Sequence, residues 1–407
     1  MKITEEISLR INALRFPMIV GIVLFHANQT DIRFSYGVSE YALEGIPAFI
    51  TNLITELSFI ALPFFFLISG LFFYKDFQPT LAVYGVKLRT RLRTLLVPYL
   101  FWNIYLYSAL LVVHEIGPIS HFFSGGKMAV PESGVCAIVN TIIGIDRMPI
   151  VYPLWFIRDL MLLVIISPLL WVLACRAPLS GLLIFAFLWF TEGWLPLIIF
   201  TRYAGPLFFY SGCLMAAYNL NLRSIERQGT KILIIFGCGL VLSAFIKTVN
   251  TLDVRFWWNP GAANVWQVFL SRAMRLVGLL AFWNVVALLG KKTLKYLAGL
   301  SAFVFIVFAG HEPTLTIFRK LLYRFVPPSG EWGILFYYFL TVTATICMMI
   351  LLGTMLRKYM PGFYNFITGS RSREDRNQVR ETVFQGLLKR SISKSYKPST
   401  RLADRNL

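Results

Sequence analysis

The sequence predicts an all-α integral membrane protein: a polytopic helical bundle of about ten transmembrane helices with both termini in the cytoplasm. Three observations carry this reading. Of the 407 residues 57% are hydrophobic and only 14% charged, with a mean hydropathy of +0.65, whereas soluble domains hold nearer a quarter of charged residues. Apolar runs of about 20 residues, the length that crosses a bilayer, recur along the chain. Lys and Arg outnumber Asp and Glu by 39 to 20, and the basic clusters fall on alternate loops, as the positive-inside rule requires. The same composition excludes a disordered chain. The formal charge of +19 would suggest nucleic acid in a soluble protein; here it reads as topology, and no nucleic-acid partner is expected.

Taken in order, the apolar runs place spans at about 11–29, 52–74, 94–113, 152–174, 179–195, 197–218, 231–249, 263–289, 295–322 and 332–356. The first begins like a signal peptide, but Arg15 and His26 bracket its apolar core and no small-residue cleavage site follows, so it is read as a retained span. The short apolar segment 135–148 is expected to be re-entrant or interfacial. With the N-terminus inside, the inner loops collect Lys75, the run Lys87, Arg89, Arg91 and Arg93, then Arg176, Arg223, Arg227, Lys231, Lys291, Lys292, Lys295, Arg357 and Lys358. The outer loops hold Asp31, Arg33, Glu40, Glu44, His114, Glu115, His121, Asp253, Arg255 and Glu331. Residues 1–360 therefore form one membrane domain. Residues 361–407 form a basic cytoplasmic tail, expected to be partly disordered, with a short amphipathic stretch at Val379–Leu388 and an attraction to anionic lipid. The five cysteines are scattered without CxxC spacing, so neither a disulfide framework nor a metal site is expected.

Ionisable residues inside spans are costly and mark function or pairing. Arg15 and His26 are eleven residues apart, about three turns, so they share one face of the first span at levels about 16 Å apart. Arg15 falls near the cytoplasmic end and His26 in the outer half. Histidine is the side chain best suited to proton chemistry near neutral pH. The plainer reading is a snorkelling Arg and a His bonded to a neighbouring carbonyl. The run KLRTRLRT, with Lys87, Arg89, Arg91 and Arg93, makes a dense positive patch at the inner surface, suited to phosphates or simply obeying topology. At the level of His26 lie Arg158 and Asp159, Glu192, Arg202, His311 and Glu312, beside the aromatic Trp155 and Trp194. That mixture suits a polar, sugar-like acceptor or a set of stapling ion pairs. Arg272 and Arg275 share a face of the eighth span, in its middle to inner part, and are expected to line a cofactor tunnel with Arg15 or else to be paired structurally. Walker, Rossmann, HExxH and GxSxG signatures are absent.

These pieces resemble the membrane acyltransferase-3 family of bacterial carbohydrate O-acetyltransferases over about residues 8–356. RINALRFPMIVGIVLFHA carries an Arg-x10-His motif on Arg15 and His26; ALPFFFLISGLFF (Ala61–Phe73), KLRTRLRTLLVPYLFWN, PLWFIRDL and FAGHEP follow in the family's order. The resemblance implies transfer of acetyl from cytoplasmic acetyl-CoA to a sugar hydroxyl, in O-antigen or a related surface glycan, at the outer face of a bacterial inner membrane. It implies a catalytic role for His26, a cofactor or structural role for Arg15, donor binding by Lys87, Arg89 and Arg91, and an acceptor-side role for His311 and Glu312. The short basic tail, in place of an extracytoplasmic hydrolase-like domain, leads to the expectation of a simpler member. His26 acts as general base or first takes the acetyl group itself; the sequence leaves both open. A flippase of lipid-linked glycan would explain the spans equally well, but not the Arg15–His26 face above an arginine patch. A glycan polymerase would need large Arg-rich outer loops.

Overall fold

The computed structural model describes residues 4–28, 31–34, 37–40, 43–75, 80–116, 134–192, 199–220, 223–250 and 265–369. The described residues are helical almost throughout. Helix α1 (Glu5–Ala27) starts on Thr4, whose hydroxyl accepts the Ile7 N–H, and carries Glu5 and Glu6 in its first turn, where acids complement the helix dipole. A small antiparallel hairpin follows, β1 (Asp31–Phe34) with β2 (Gly37–Glu40), pairing Asp31 with Glu40. It is a local departure from an all-helical chain, in a loop rich in β-forming side chains. Next come α2 (Gly45–Ser58), α3 (Ala61–Tyr74), α4 (Leu81–Glu115) and α5 (Val135–Ile143). After the turn Tyr152–Leu154 come α6 (Trp155–Ile165), α7 (Ser167–Arg176), α8 (Pro178–Phe190), α9 (Ala204–Ala217) and the short α10 (Arg223–Glu226). The chain continues with α11 (Gly229–Val249), α12 (Val265–Ala287), α13 (Lys291–Leu300), α14 (Val304–Phe325), α15 (Gly330–Tyr359) and α16 (Pro361–Thr368).

Among the described residues, seven segments are long and apolar enough to cross a membrane: α1, α2 with α3, α4, α11, α12, α13 with α14, and α15. An eighth arises if Tyr152–Ile165 and Ser167–Arg176, bent by 61°, count as one. The bend falls where Pro168 enters the first turn of α7, a position that tolerates proline only at a helix start. The shorter apolar helices Pro178–Phe190 and Ala204–Ala217 stand at the fifth and sixth expected spans. Large apolar side chains such as Phe187, Trp266, Phe336 and Leu351 face outward, as helices against lipid require.

Two features differ from the sequence reading. The basic run Lys87–Arg93 is not a loop but the N-terminal part of the 35-residue α4. At 1.5 Å per residue α4 is about 52 Å long, well beyond a hydrocarbon core of about 30 Å. Beyond the boundary drawn at 360, α16 is helical and packed: Trp102 Nε1 donates to Ile367 O (3.0 Å), and Tyr364 Oη donates to Ala302 O (2.7 Å). Val379–Leu388 lies outside the described residues.

Helix α1 sits at the centre, packed against α2, α3, α12, α13, α14 and α15. Its side chains join both apolar cores: Ile19 and Val23 in one, Ile11, Leu14 and Met18 in the other. Helices α3 and α9 approach closely at Gly70 and Gly212, where a Cβ would strike the Phe209 and Leu67 carbonyls. Small residues at such crossings let membrane helices pack backbone to backbone.

Candidate functional site

His26 occupies the last turn of α1 and is 7% exposed. The neighbouring turn is held from two sides. Tyr338 Oη donates to Leu24 O (3.0 Å), and the Asn28 amide donates to Thr55 Oγ1 (2.7 Å). The imidazole itself is fixed by Tyr152, whose Oη lies 2.7 Å from His26 Nδ1 and whose ring meets it edge-on. The His311 ring centre is 5.2 Å from that of His26. His311 Nδ1 lies 2.7 Å from Phe308 O and 3.2 Å from Val307 O. Carbonyls only accept, so the proton sits on Nδ1 and Nε2 presents a lone pair. That buried Nε2 has no hydrogen-bond partner among the described residues.

His26 opens onto a cavity of about 220 Å³, below the roughly 300–1,000 Å³ of a drug-sized site. Its aromatic lining includes Phe25, Phe59, Phe65, Trp155, Phe156 and Trp189. Among the described residues its charged lining is Glu192, Arg202, Arg272 and Arg275. Glu192 accepts from Arg202 (2.9 Å) and from the Tyr203 N–H (2.8 Å). Arg272 donates to Phe190 O (2.6 Å) and Glu192 O (2.8 Å), tying α12 to the end of α8. Arg275 lies over the Phe59 ring at 4.2 Å. Phe59 packs on Phe25, and Phe25 on His26, so one wall runs from guanidinium to imidazole through two rings.

Arg272 and Arg275 thus join His26, not Arg15. Arg272 is bonded to the end of α8, and Arg275 stacks on Phe59 just after α2. Arg15 lies three turns away with its guanidinium 5.6 Å from the Phe72 ring centre, outside the cavity lining. Lys87 donates to Phe73 O (2.7 Å) and Lys75 O (3.0 Å), engaging carbonyls at the C-terminal end of α3 as cations favourably do. Arg15 and Lys87 therefore converge on the same end of α3. On α4, helical spacing splits the basic run. Arg89 and Arg93 share an exposed face with Gly85 along a shallow groove, and Arg91 turns elsewhere, half-buried.

Of the other acceptor-side residues, Trp155 and Glu192 line the cavity and His311 stands behind His26. Arg158 and Asp159 form a staple outside it. Arg158 bonds the Gly144 carbonyl and the Thr201 hydroxyl and pairs with Asp159 at 3.2 Å. Asp159, fully buried, accepts from the Thr201 N–H (2.7 Å) and hydroxyl (3.1 Å). Glu312 accepts from Thr316 Oγ1 at 3.2 Å and is likewise outside the lining. Trp194 lies outside the described residues.

Sequence reasoning missed Tyr152, which looks like any interfacial aromatic, and a buried cluster behind Phe59. Glu56 of α2 pairs with Lys247 of α11 and accepts from Ser271 Oγ of α12 (3.0 Å). All three are at most 4% exposed, and Lys247 Nζ lies over the Phe59 ring. The signal was present: one acid and one base stand alone in otherwise apolar spans, and such charges normally pair.

Residues 8–353 match the acyltransferase domain Acyl_transf_3. The chain is 24% identical over 376 residues to the succinoglycan biosynthesis protein ExoH of Rhizobium meliloti (strain 1021), covering 90% of this chain and 93% of that protein. No solved structure matches it. The chain belongs to the acyltransferase-3 family and is a multi-pass membrane acyltransferase.

Proposed function

We propose, with membership of the acyltransferase-3 family as the premise, that the protein moves acetyl from acetyl-CoA to a sugar hydroxyl of a surface polysaccharide such as O-antigen or its lipid-linked precursor. It would do so across a bacterial cytoplasmic membrane, with both chain ends inside. The observation that carries this reading is the placement of His26: buried, oriented by Tyr152, and facing an aromatic cavity three turns above Arg15. The printed name of the Rhizobium relative, a polysaccharide biosynthesis protein, supports a glycan acceptor.

In this reading the anionic part of the donor meets the Arg89–Arg93 face of α4, and Arg91, Lys87 and Arg15 add positive charge at the same level of the bundle. Arginine forks suit phosphate oxygens. The flexible arm of the donor spans the roughly 16 Å from the level of Arg15 to that of His26. In this mechanism His26 carries its proton on Nδ1, directed at Tyr152 Oη 2.7 Å away, and Nε2 serves as the base. The acceptor hydroxyl attacks the thioester carbonyl while its proton passes to Nε2. The C–S bond then breaks, and the departing thiolate takes the proton from imidazolium. The products are the sugar ester and free CoA thiol, and His26 is restored. Aromatic walls such as Trp155 exclude water, which would otherwise hydrolyse the thioester.

The test is proton NMR of the host polysaccharide with the gene deleted, then restored as wild type or as His26→Ala. O-acetyl signals that vanish on deletion and return only with the wild type support the reading. Unchanged acetylation contradicts it, and loss of the polysaccharide itself would point to a flippase or polymerase.

A further inference from the structure

His311 is fully buried on α14, and its two ring nitrogens differ in kind. Nδ1 donates towards the Phe308 and Val307 carbonyls, which pins the ring to its own helix. Nε2 is then a lone pair whose direction is set. It has no hydrogen-bond partner among the described residues. His311 is not among the residues that line the cavity, so a substrate held there meets His26 and not His311. The ring beside it that can offer an N–H is that of His26, with its centre 5.2 Å away and its plane inclined by 34°.

A buried acceptor without a donor is costly, and native structures keep few of them. Packing alone would be served as well by leucine, which leaves no polar atom to satisfy. Neutral His26 has one N–H, and in the mechanism above it is directed at Tyr152. Once the acceptor hydroxyl has passed its proton to Nε2, His26 has two. The second then needs an acceptor beside walls such as Phe25, Trp155 and Phe308. Ring centres 5.2 Å apart let an N–H of one imidazole reach a nitrogen of the other at hydrogen-bond distance once the His26 ring tilts about Tyr152. Two other polar groups on the elements packed here are engaged elsewhere: the hydroxyls of Tyr338 on α15 and Tyr99 on α4 donate to the Leu24 and Ile143 carbonyls. The charged groups around the pair are Glu312, next to His311 in sequence, and Glu192, Arg202, Arg272 and Arg275 in the cavity wall. Glu56 and Lys247 stand behind Phe59.

We propose that His311 is a positioning residue that acts through His26. Its Nε2 accepts the Nε2–H of the His26 imidazolium and stabilises the charge that forms during acyl transfer. The proton comes from the acceptor hydroxyl, is held in the N–H···N bond, and leaves with the departing thiolate. His311 itself gains and loses nothing. The proposal rests on the acyltransferase mechanism above, and it gives His311 this role in place of a contact with the acceptor.

The experiment compares wild type, His311→Leu and His311→Gln, each reconstituted in lipid, by acyl transfer, by thermal unfolding and by NMR with nitrogen-15 in the four histidines alone. His311→Leu should lower kcat about 10–100-fold, the effect of losing a hydrogen bond to a charged group. KM for the donor should stay unchanged and Tm should stay equal or rise, since an unsatisfied buried nitrogen has gone. His311→Gln, which keeps an acceptor oxygen, should recover part of kcat. On acidification the wild type should show a scalar coupling between nitrogens of two different imidazoles, the mark of an N–H···N bond, and His311→Leu should lack it. Unchanged kcat in His311→Leu, a loss of kcat that follows a loss of Tm and is not recovered by His311→Gln, or no coupling in the folded wild type at any pH would each overturn the proposal. The wild-type coupling alone decides this if His311→Leu fails to fold. Coupling in a protein that transfers no acyl group would leave the His26–His311 bond standing and remove the acyltransfer mechanism.

Discussion

The two charged regions of the molecule are built on opposite rules. Around His26 the charges are buried, mixed in sign and individually fixed: Glu192 between Arg202 and Tyr203, Arg272 on two carbonyls, Glu56 between Lys247 and Ser271. At the start of α4, Arg89 and Arg93 are exposed, alike in sign and one turn apart on a single long helix. The first region holds geometry, and a displaced group there would misalign chemistry. The second supplies attraction, which tolerates motion and weakens with salt. The proposed reaction, in which an anionic donor is drawn from solution and reacted in a water-poor cavity, would use both.

This contrast sets the order of expected effects. His26→Ala should be largest, lowering acyl transfer by roughly 10²–10⁴-fold, the usual worth of a positioned acid–base group, with the protein still inserted at normal level by membrane fractionation. Next, Glu56→Gln or Lys247→Met alone leaves one buried charge without its partner, a change that costs about 3–5 kcal/mol. Thermal unfolding in detergent should show it, and the double variant should recover most of the loss; a double variant worse than both singles would break the pairing argument. Tyr152→Phe removes one buried hydrogen bond from His26, worth about 0.5–1.5 kcal/mol, so kcat should fall up to about tenfold with only a small drop in Tm. Smallest is Arg89→Ala with Arg93→Ala. It should raise the KM for acetyl-CoA severalfold at low salt, with the difference shrinking as salt rises and Tm unaffected.

Much of the architecture was legible because lipid imposes a simple pattern: every spanning segment must be apolar and long. The Arg15–His26 relation was equally legible, since helical periodicity alone puts residues eleven apart on one face. What escaped depended on partners distant in sequence. Nothing local tells that Glu56 meets Lys247 from a helix 191 residues later, or that Arg272 reaches back to the end of α8. Arg158 and Asp159 read equally well as acceptor contacts or as a staple until Thr201 and Gly144 were seen against them. The basic run looked like a loop because hydropathy drops there. Arginine and lysine are good helix formers, so α4 continues through it into the aqueous phase.

The most direct test of the central claim is transfer of labelled acetyl from acetyl-CoA to host polysaccharide by the purified, lipid-reconstituted protein, wild type beside His26→Ala. The account predicts label in the polysaccharide with the wild type and only background with a folded His26→Ala. Near-equal transfer by the two proteins would take the chemistry away from His26 and contradict it.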